Sequence, residues 1–160
     1  MEERPFATER EQKLFVLDVY FRTQAAIEAF FGHAGLHTWI ERVASGMAAT
    51  VIQTVPDILD RTRRLLGGLN MMLHVYPGSE ATLTEIPGGV QLEVRRCGIY
   101  DYRDKARDRG VTLTLEKPCE FCVPLHKAEA AKLGVEISNQ LRDHGCTYVA
   151  LVPKETRNEN

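Results

Sequence analysis

The ten residues 117–126, KPCEFCVPLH, concentrate side chains that can bind a metal or move a proton. Cys119 and Cys122 form a CxxC pair, which lets two thiolates from one turn reach a single ion. His126 follows Cys122 by four residues, so on a helix both side chains would face the same way. This stretch therefore predicts either a metal site or a thiol site with an adjacent imidazole.

The chain contains four cysteines, spaced C-x21-C-x2-C-x23-C, and we predict that their sulfurs converge on one metal. The outer two lie at the edges of predicted strands that would end at the same side of a sheet. Four soft thiolates suit a zinc ion or an iron–sulfur cluster. The predicted ligands are Cys97, Cys119, Cys122 and Cys146, with Glu120 and His126 in reserve.

The cysteine spacing leaves several alternatives open. A zinc ribbon would show two CxxC pairs, and this chain has only one. The spacing also does not distinguish a zinc ion from an iron–sulfur cluster. Cys97 and Cys146 could instead be buried strand residues, because free cysteine is often buried. A thiol redox protein is another alternative, since a helix N-terminus would lower the pKa of Cys119. A thioredoxin-like fold, however, needs a βαβ unit where this chain predicts an antiparallel hairpin.

Length and composition bound the class of protein. The 160 residues predict a single domain, with 44% apolar and 26% charged residues and a net charge of −2. A nucleic-acid partner would call for a basic face, which this charge balance does not predict. No apolar run approaches the roughly 20 residues that span a bilayer, and no signal peptide is recognisable. We therefore expect a cytoplasmic protein without a membrane partner, whose cysteines act as ligands or reactive thiols.

Three amphipathic helices are predicted in the first half of the chain. The first begins with the capping-box pair Thr8 and Glu11 and ends at Gly32. The second begins at Thr38 and has the clearest 3.6-residue period in the chain. Pro56 ends it and opens a third helix that continues to about Leu69.

The second half of the chain predicts a mostly antiparallel sheet with inserted helices. Alternating residues around Pro87-Gly88-Gly89 predict a hairpin, and further strands are predicted at 111–115 and 146–152. A helix is predicted from about Pro124 to Leu133, whereas 135–143 fits neither period well. The fold class is therefore α+β, with N-terminal helices packed on the sheet. We expect a helical part (1–72, opening with a frayed arm), a sheet part (80–152) and a disordered tail (153–160).

Three local patterns in the sheet part resemble a known family. They are a strand ending in cysteine (VRRCGIY, 94–100), a CxxC that opens a helix ending in Leu133-Gly134, and a last strand beginning GCTY (145–148). In this order they resemble the L-2-amino-thiazoline-4-carboxylate hydrolase-like family. More distantly, they resemble the V4R domain, a small-ligand-binding α+β module. The resemblance covers roughly residues 80–152 and implies a V4R-like fold.

The resemblance implies a pocket between the helical part and the sheet, with the cysteine site beside it. The hydrolase interpretation implies that metal-activated water opens a small thiazoline-like ring at a carbon–nitrogen or carbon–sulfur bond. His126 would then act as general base, and Arg95 or Arg103 would hold a carboxylate. The alternative is a module that binds or senses a small hydrophobic ligand and contains a structural metal. A small molecule is the expected partner in both cases, and the oligomeric state is left open, a homodimer included.

Overall fold

The computed structural model describes residues 8–154. Its helices are α1 (Glu9–Thr54), α2 (Ile58–Val75), α3 (Gly98–Asp108) and α4 (Cys119–Leu133). Its strands are β1 (Glu80–Ile86), β2 (Gly89–Arg96), β3 (Glu136–Arg142) and β4 (Gly145–Leu151). The predicted α+β class is confirmed, with the long helices first. The predicted frayed arm at residues 1–7 and most of the predicted tail lie outside the described residues.

Helix α1 is bent sharply at Gly32. The φ of Gly32 is 67° and its ψ is −166°, a backbone conformation that glycine adopts without a Cβ penalty. The rings of Tyr20 and Trp39 lie 5.7 Å apart, whereas 19 residues of straight helix would separate them by about 28 Å. The two halves of α1 therefore fold back beside each other.

The ends predicted for the first three helices are partly right. The capping box between Thr8 and Glu11 is present, so the predicted start of α1 is confirmed. The predicted new start at Thr38 is wrong, because this residue lies inside α1 and its hydroxyl donates to the carbonyl of Ala34. Asp57 caps α2, which runs to Val75 rather than ending near residue 69.

The four strands form one antiparallel sheet in the order β1-β2-β4-β3. The predicted hairpin corresponds to β1 and β2, and the predicted last strand corresponds to β4 within one residue at each end. The ambiguous segment 135–143 contains β3. Inward-facing residues of the two central strands pack against α2 in the main core, and the buried ones are Val90, Leu92, Val94, Tyr148 and Ala150.

The predicted strand at residues 111–115 is wrong. This segment has no regular secondary structure and pairs with no strand in the described part of the chain. Val111 and Leu115 are buried and give the alternation that predicted a strand. Val111 packs in the main core, and Leu115 belongs to a small core cluster with Phe121 and Leu125 of α4. Alternate burial alone therefore produced a two-residue period without a sheet.

Helix α4 begins at Cys119, five residues before the predicted start at Pro124. Pro118 precedes its first turn, and Pro124 is accommodated inside the helix. The backbone N–H of Lys117 donates to the Glu120 carboxylate at 2.7 Å, which holds the chain at this end. As a result both CxxC cysteines lie on the first turn of α4.

Candidate functional site

The four cysteines line one small cavity, which we call the thiol cavity. Cys97 lies between β2 and α3, Cys119 and Cys122 lie on α4, and Cys146 lies on β4. The cavity has a volume of about 20 Å³. Its other lining residues come from α2, α3, α4 and β4 and include Leu69, Leu73, Ile99, Tyr100, Pro118 and Tyr148. The fold thus brings together sulfurs that are far apart along the chain.

The positions of these side chains bear directly on the predicted metal. All four cysteines are free thiols. Within residues 8–154, no group of three or more His, Cys, Asp or Glu side chains is arranged to hold a metal ion. A volume of about 20 Å³ leaves room for about one water-sized atom, which suits a single ion better than an iron–sulfur cluster. The metal stays a prediction, and Glu120 is used at the helix start instead.

A glycine beside each outer cysteine lets neighbouring backbone approach the thiol cavity closely. A Cβ on Gly98 would lie 2.6 Å from the carbonyl oxygen of Pro77. A Cβ on Gly145 would lie 2.5 Å from the carbonyl oxygen of Val94. Because real Cβ atoms are not found at such distances, any other residue would push these chain segments apart.

Two tyrosine hydroxyls contact the CxxC sulfurs. The hydroxyl of Tyr100 lies 3.4 Å from Cys119 Sγ, and the hydroxyl of Tyr148 donates to Cys122 Sγ at 3.8 Å. Neither tyrosine was predicted as a site residue. The alternation in the predicted last strand puts Tyr148 on one face with Ala150 and Val152, but nothing in the sequence indicated which side chain it would meet.

The thiols of the cavity differ in acidity. Burial raises the pKa of Cys97 to about 11 and that of Cys146 to about 12. Burial alone would also raise the pKa of Cys122, but contacts with His126 and then Tyr148 outweigh it and lower that pKa. Cys122 is therefore the thiol that most readily becomes a thiolate among these three.

Cys122, His126 and Glu129 form a row along one face of α4, at intervals of four and three residues. His126 and Glu129 are only 2% and 3% exposed, and His126 Nδ1 lies 3.4 Å from Glu129 Oε2. Burial lowers the pKa of His126, but Cys122 and Glu129 outweigh this and raise it to about 9. Among the described residues, neither ring nitrogen nor Glu129 Oε2 has a well-aligned hydrogen-bond partner.

A larger cavity, the helix cleft, lies between both halves of α1, α2 and α4. Its volume is about 540 Å³, within the range of roughly 300–1,000 Å³ that is usual for small-molecule sites. His126 and Glu129 form its buried polar end, and the exposed Thr50 and Arg64 also line it. Its rim is open, with Val16 and Met71 each 64% exposed. The apolar residues of its wall are Val16, Leu17, Tyr20, Val43, Met47, Val51, Met71, Met72, Tyr76 and Leu125.

A third cavity, the inner chamber, lies deeper than the helix cleft and has a volume of about 30 Å³. It is bordered by Arg103 and Gln24, both buried, and by Cys122 on the side of the thiol cavity. Among residues 8–154, Arg103 Nε and Gln24 Oε1 lack hydrogen-bond partners. The wall shared by the chamber and the cleft consists of Tyr20, Met72, Tyr76, Leu125 and His126.

Comparison with protein-family models and with curated proteins finds no match for this chain. The family resemblance of the sheet part therefore stays a prediction. In the described part of the chain, no helix combines the length and the apolar character needed to cross a membrane.

The site residues predicted from the sequence thus fall in two regions. The four cysteines border the thiol cavity, whereas His126 borders the helix cleft and the inner chamber. Of the two arginines named as carboxylate ligands, Arg95 is exposed and Arg103 is buried at the inner chamber. Sequence reasoning missed Gln24 and Glu129. The spacing of Glu129 three residues after His126 was the one available signal for it.

Proposed function

We propose that the protein binds a small, predominantly apolar molecule in the helix cleft. The observation that carries the proposal is the contrast between the wall and the end of this cleft. Apart from the exposed Thr50 and Arg64, the wall is apolar, whereas the end is formed by the buried His126–Glu129 pair. Both ring nitrogens and Glu129 Oε2 lack well-aligned partners among the described residues. Sites for small molecules typically combine an apolar lining with a few polar groups that fix orientation.

Both parts of the cleft favour an occupant over bulk water. Covering apolar wall is worth about 25 cal/mol for each Å² removed from water. Leaving a buried polar group without a partner costs about 1–3 kcal/mol, so a ligand that offers a donor to Glu129 would offset that cost. Flexible methionines such as Met47, Met71 and Met72 allow the wall to adapt to the ligand's shape.

Binding is favoured over hydrolysis because of the state of His126. A general base works best when its pKa lies near the working pH. The raised pKa of His126, about 9, keeps most of the imidazole protonated at neutral pH. A protonated histidine is a poor acceptor but a good hydrogen-bond donor, which suits a ligand-orienting role.

The proposal is tested by titrating the protein with 1-decanol, followed by calorimetry and by the fluorescence of Trp39, the single tryptophan. Trp39 contacts Tyr20 of the cleft wall, so its emission should respond to binding. Two neighbouring glycines of α2 provide a matched pair of variants. A Cβ on either meets no heavy atom within 4 Å, but only Gly68 lines the cleft.

Gly68→Leu should weaken decanol binding by about tenfold or more, because its side chain would occupy the cleft. Gly67→Leu should leave the affinity unchanged while gaining the same helix propensity. Saturable 1:1 binding with this contrast supports the proposal. Absence of binding, or equal loss in both variants, overturns it. The molecular mass of the protein in solution is measured alongside the titration, because a second copy of the chain that covers the cleft would exclude decanol.

The thiol cavity supports a second function, the binding of one soft metal ion. The observation favouring it is that all four sulfurs of the chain border a single cavity of about 20 Å³. Because no three ligands are in place in the described residues, binding would require some cysteine side chains to rotate toward the cavity. Thiolate ligands in a site of this size suit a zinc ion.

Cobalt provides a spectroscopic test of this second function. Metal-depleted protein titrated with Co²⁺ should develop the intense near-ultraviolet bands of thiolate-to-cobalt charge transfer at one equivalent. Each single Cys→Ala variant should weaken binding, whereas His37→Gln, a change at an exposed histidine, should not. Iron and broad absorbance near 400 nm in protein purified without air would instead support an iron–sulfur cluster. Absence of any bound metal under both conditions would rule out the metal site.

A further inference from the structure

We propose that the ligand of the helix cleft carries a carboxylate, which Arg103 binds in the inner chamber. The inference rests on the proposed function and adds the chemical class of the ligand, an amphipathic carboxylate with an apolar body in the cleft. Three independent features of the described residues support it: the burial of Arg103, the engagement of nearby carboxylates elsewhere, and the position of the chamber behind the cleft wall.

Arg103 carries a buried positive charge with only neutral neighbours in contact. The residue is 2% exposed. One guanidinium nitrogen, Nη2, donates to the carbonyl of Leu115. The centre of the Phe21 ring lies 5.6 Å from the guanidinium carbon. Its Nε has no partner among the described residues. A buried charge is costly unless it is paired, so this arrangement calls for an anion.

The protein's own carboxylates do not supply that anion. No carboxylate of residues 8–154 forms an ion pair with Arg103, and four of those around α3 and the start of α4 have other partners. Their partners are other arginines and one backbone N–H, in the pairs Asp101–Arg96, Asp104–Arg107, Asp18–Arg109 and Glu120–Lys117. Glu120 and Asp104 are near enough to favour the charge of Arg103, but neither pairs with it directly. The position of a paired anion is thus open to a group from outside these residues.

The inner chamber has the size and donors for a carboxylate. Its volume of about 30 Å³ leaves room for about two water-sized atoms, as many as the oxygens of one carboxylate. Arg103 Nε can donate to one oxygen in a charge-assisted hydrogen bond. The Gln24 side-chain oxygen has no hydrogen-bond partner in its present orientation. A half-turn of this amide would present its N–H group to the second carboxylate oxygen.

The chamber is placed so that the head and the body of one molecule can occupy both cavities. Five residues border the chamber on one side and the helix cleft on the other. Met72 belongs to this shared wall and, as an unbranched side chain, can shift more readily than the tyrosines beside it. A molecule with an anionic head and an apolar tail would place its head in the chamber and its tail in the cleft, whereas a purely apolar molecule leaves Arg103 unpaired.

The test compares ligands that differ only in their head group. Decanoate, 1-decanol and decylamine are titrated into the wild-type protein below their micelle concentrations. Decanoate should bind at least about tenfold more tightly than decanol, and decylamine should bind most weakly, because a hydrogen bond to a charged group adds about this much. Arg103→Gln should abolish the preference for decanoate over decanol, while Arg103→Lys should keep part of the preference.

The outcomes separate this inference from the proposed function. If no ligand binds, the proposed function fails. If decanol and decanoate bind equally, or decylamine binds best, the function stands and the carboxylate inference is overturned. The inference also fails if Arg103→Gln retains the full preference. Should that variant not fold, as judged by circular dichroism, the wild-type ligand series still decides the question.

Discussion

Two regions along α4 differ in size and in chemistry. At the start of the helix, Cys119 and Cys122 border a cavity of about 20 Å³ with four soft sulfur donors. Further along, His126 and Glu129 line a cleft of about 540 Å³ whose wall is mostly apolar. The small cavity suits a single ion and the large cleft suits an organic molecule, so one helix contributes to two kinds of binding site.

The two regions are joined at Cys122, His126 and Tyr148. Cys122 borders the thiol cavity and the inner chamber, and its contact with His126 shifts the pKa of both groups. Tyr148 packs edge-on to the His126 ring at 6.2 Å while its hydroxyl donates to Cys122. A change at this junction should affect both regions, whereas a change at either far end should affect only one.

The largest expected effect is at Tyr148. This residue is 1% exposed on β4, a central strand, and borders the thiol cavity. Replacing it with alanine should reduce the free energy of unfolding by about 3–5 kcal/mol, the usual cost of removing a large buried ring. Tyr148→Phe, which keeps the ring and loses only the hydroxyl contact, should cost about 1 kcal/mol. Urea denaturation measures both, and equal losses would contradict a mainly packing role.

The next effect tests whether the two regions act separately. Gly68→Leu should weaken decanol binding about tenfold without changing the affinity for Co²⁺. Cys146→Ala should do the reverse, since Cys146 borders the thiol cavity but neither the inner chamber nor the helix cleft. In the double variant each affinity should fall by the same factor as in the corresponding single variant, as is usual for sites without shared partners. A variant that weakens both decanol and Co²⁺ binding would mean that the regions form one site.

A smaller effect should appear as a pH dependence of the metal-free protein. The pKa of Cys97 rises on folding from 9.0 to about 11, and that of Cys146 from 9.0 to about 12. The folded state therefore keeps these protons when the unfolded state has lost them. Their contribution is fully present below pH 9 and is lost as the pH rises through 11 and 12.

Urea denaturation of the metal-free protein between pH 8 and pH 11 measures this contribution. The range begins below 9.0, the pKa of the unfolded thiols, and extends to the raised pKa of Cys97, about 11. Cys146→Ala serves as the comparison, because removing one of the two thiols should make the decline in stability less steep. An identical decline in wild type and variant would show that other groups cause it.

The smallest effect is expected at Arg63, which lies in neither region. Its guanidinium pairs with Asp60 at 2.7 Å and with Glu85 at 3.1 Å, and the side chains of Arg63, Asp60 and Glu85 are 41%, 55% and 71% exposed. Exposed ion pairs contribute about 0–1 kcal/mol. Arg63→Ala should therefore change thermal stability little and should leave both decanol and cobalt binding unchanged. A loss of ligand binding in this variant would extend the site beyond the cleft.

The sequence predicted the elements that have a regular pattern and local end signals. The capping box at Thr8, the hairpin at residues 80–96 and the final strand carry such signals, and all are present. The segment 111–115 misled the prediction because burial of alternate residues in an unpaired segment can imitate the alternation of a strand. The early start of α4 was missed because Pro124 was taken as a helix start, whereas the helix accommodates it internally.

The candidate site was predictable only where its residues carry unusual chemistry. The rarity of cysteine was enough to single out the four residues that line the thiol cavity. The helix cleft consists of ordinary apolar residues from distant segments, so no local pattern distinguishes its wall from core. Arg103 lies in a charged segment, yet Ile99, Tyr102 and Ala106 around it mark a buried face at helical spacing.

The bend at Gly32 determines the reach of the whole helical part. A straight helix of 46 residues would extend for about 69 Å, far more than a domain of this size can cover. Reversing direction at one residue gives two arms of about half that length, and both arms supply wall to the cleft. The opening between these walls thus depends on two backbone angles, so the geometry of the binding region is set at a residue that does not itself line it.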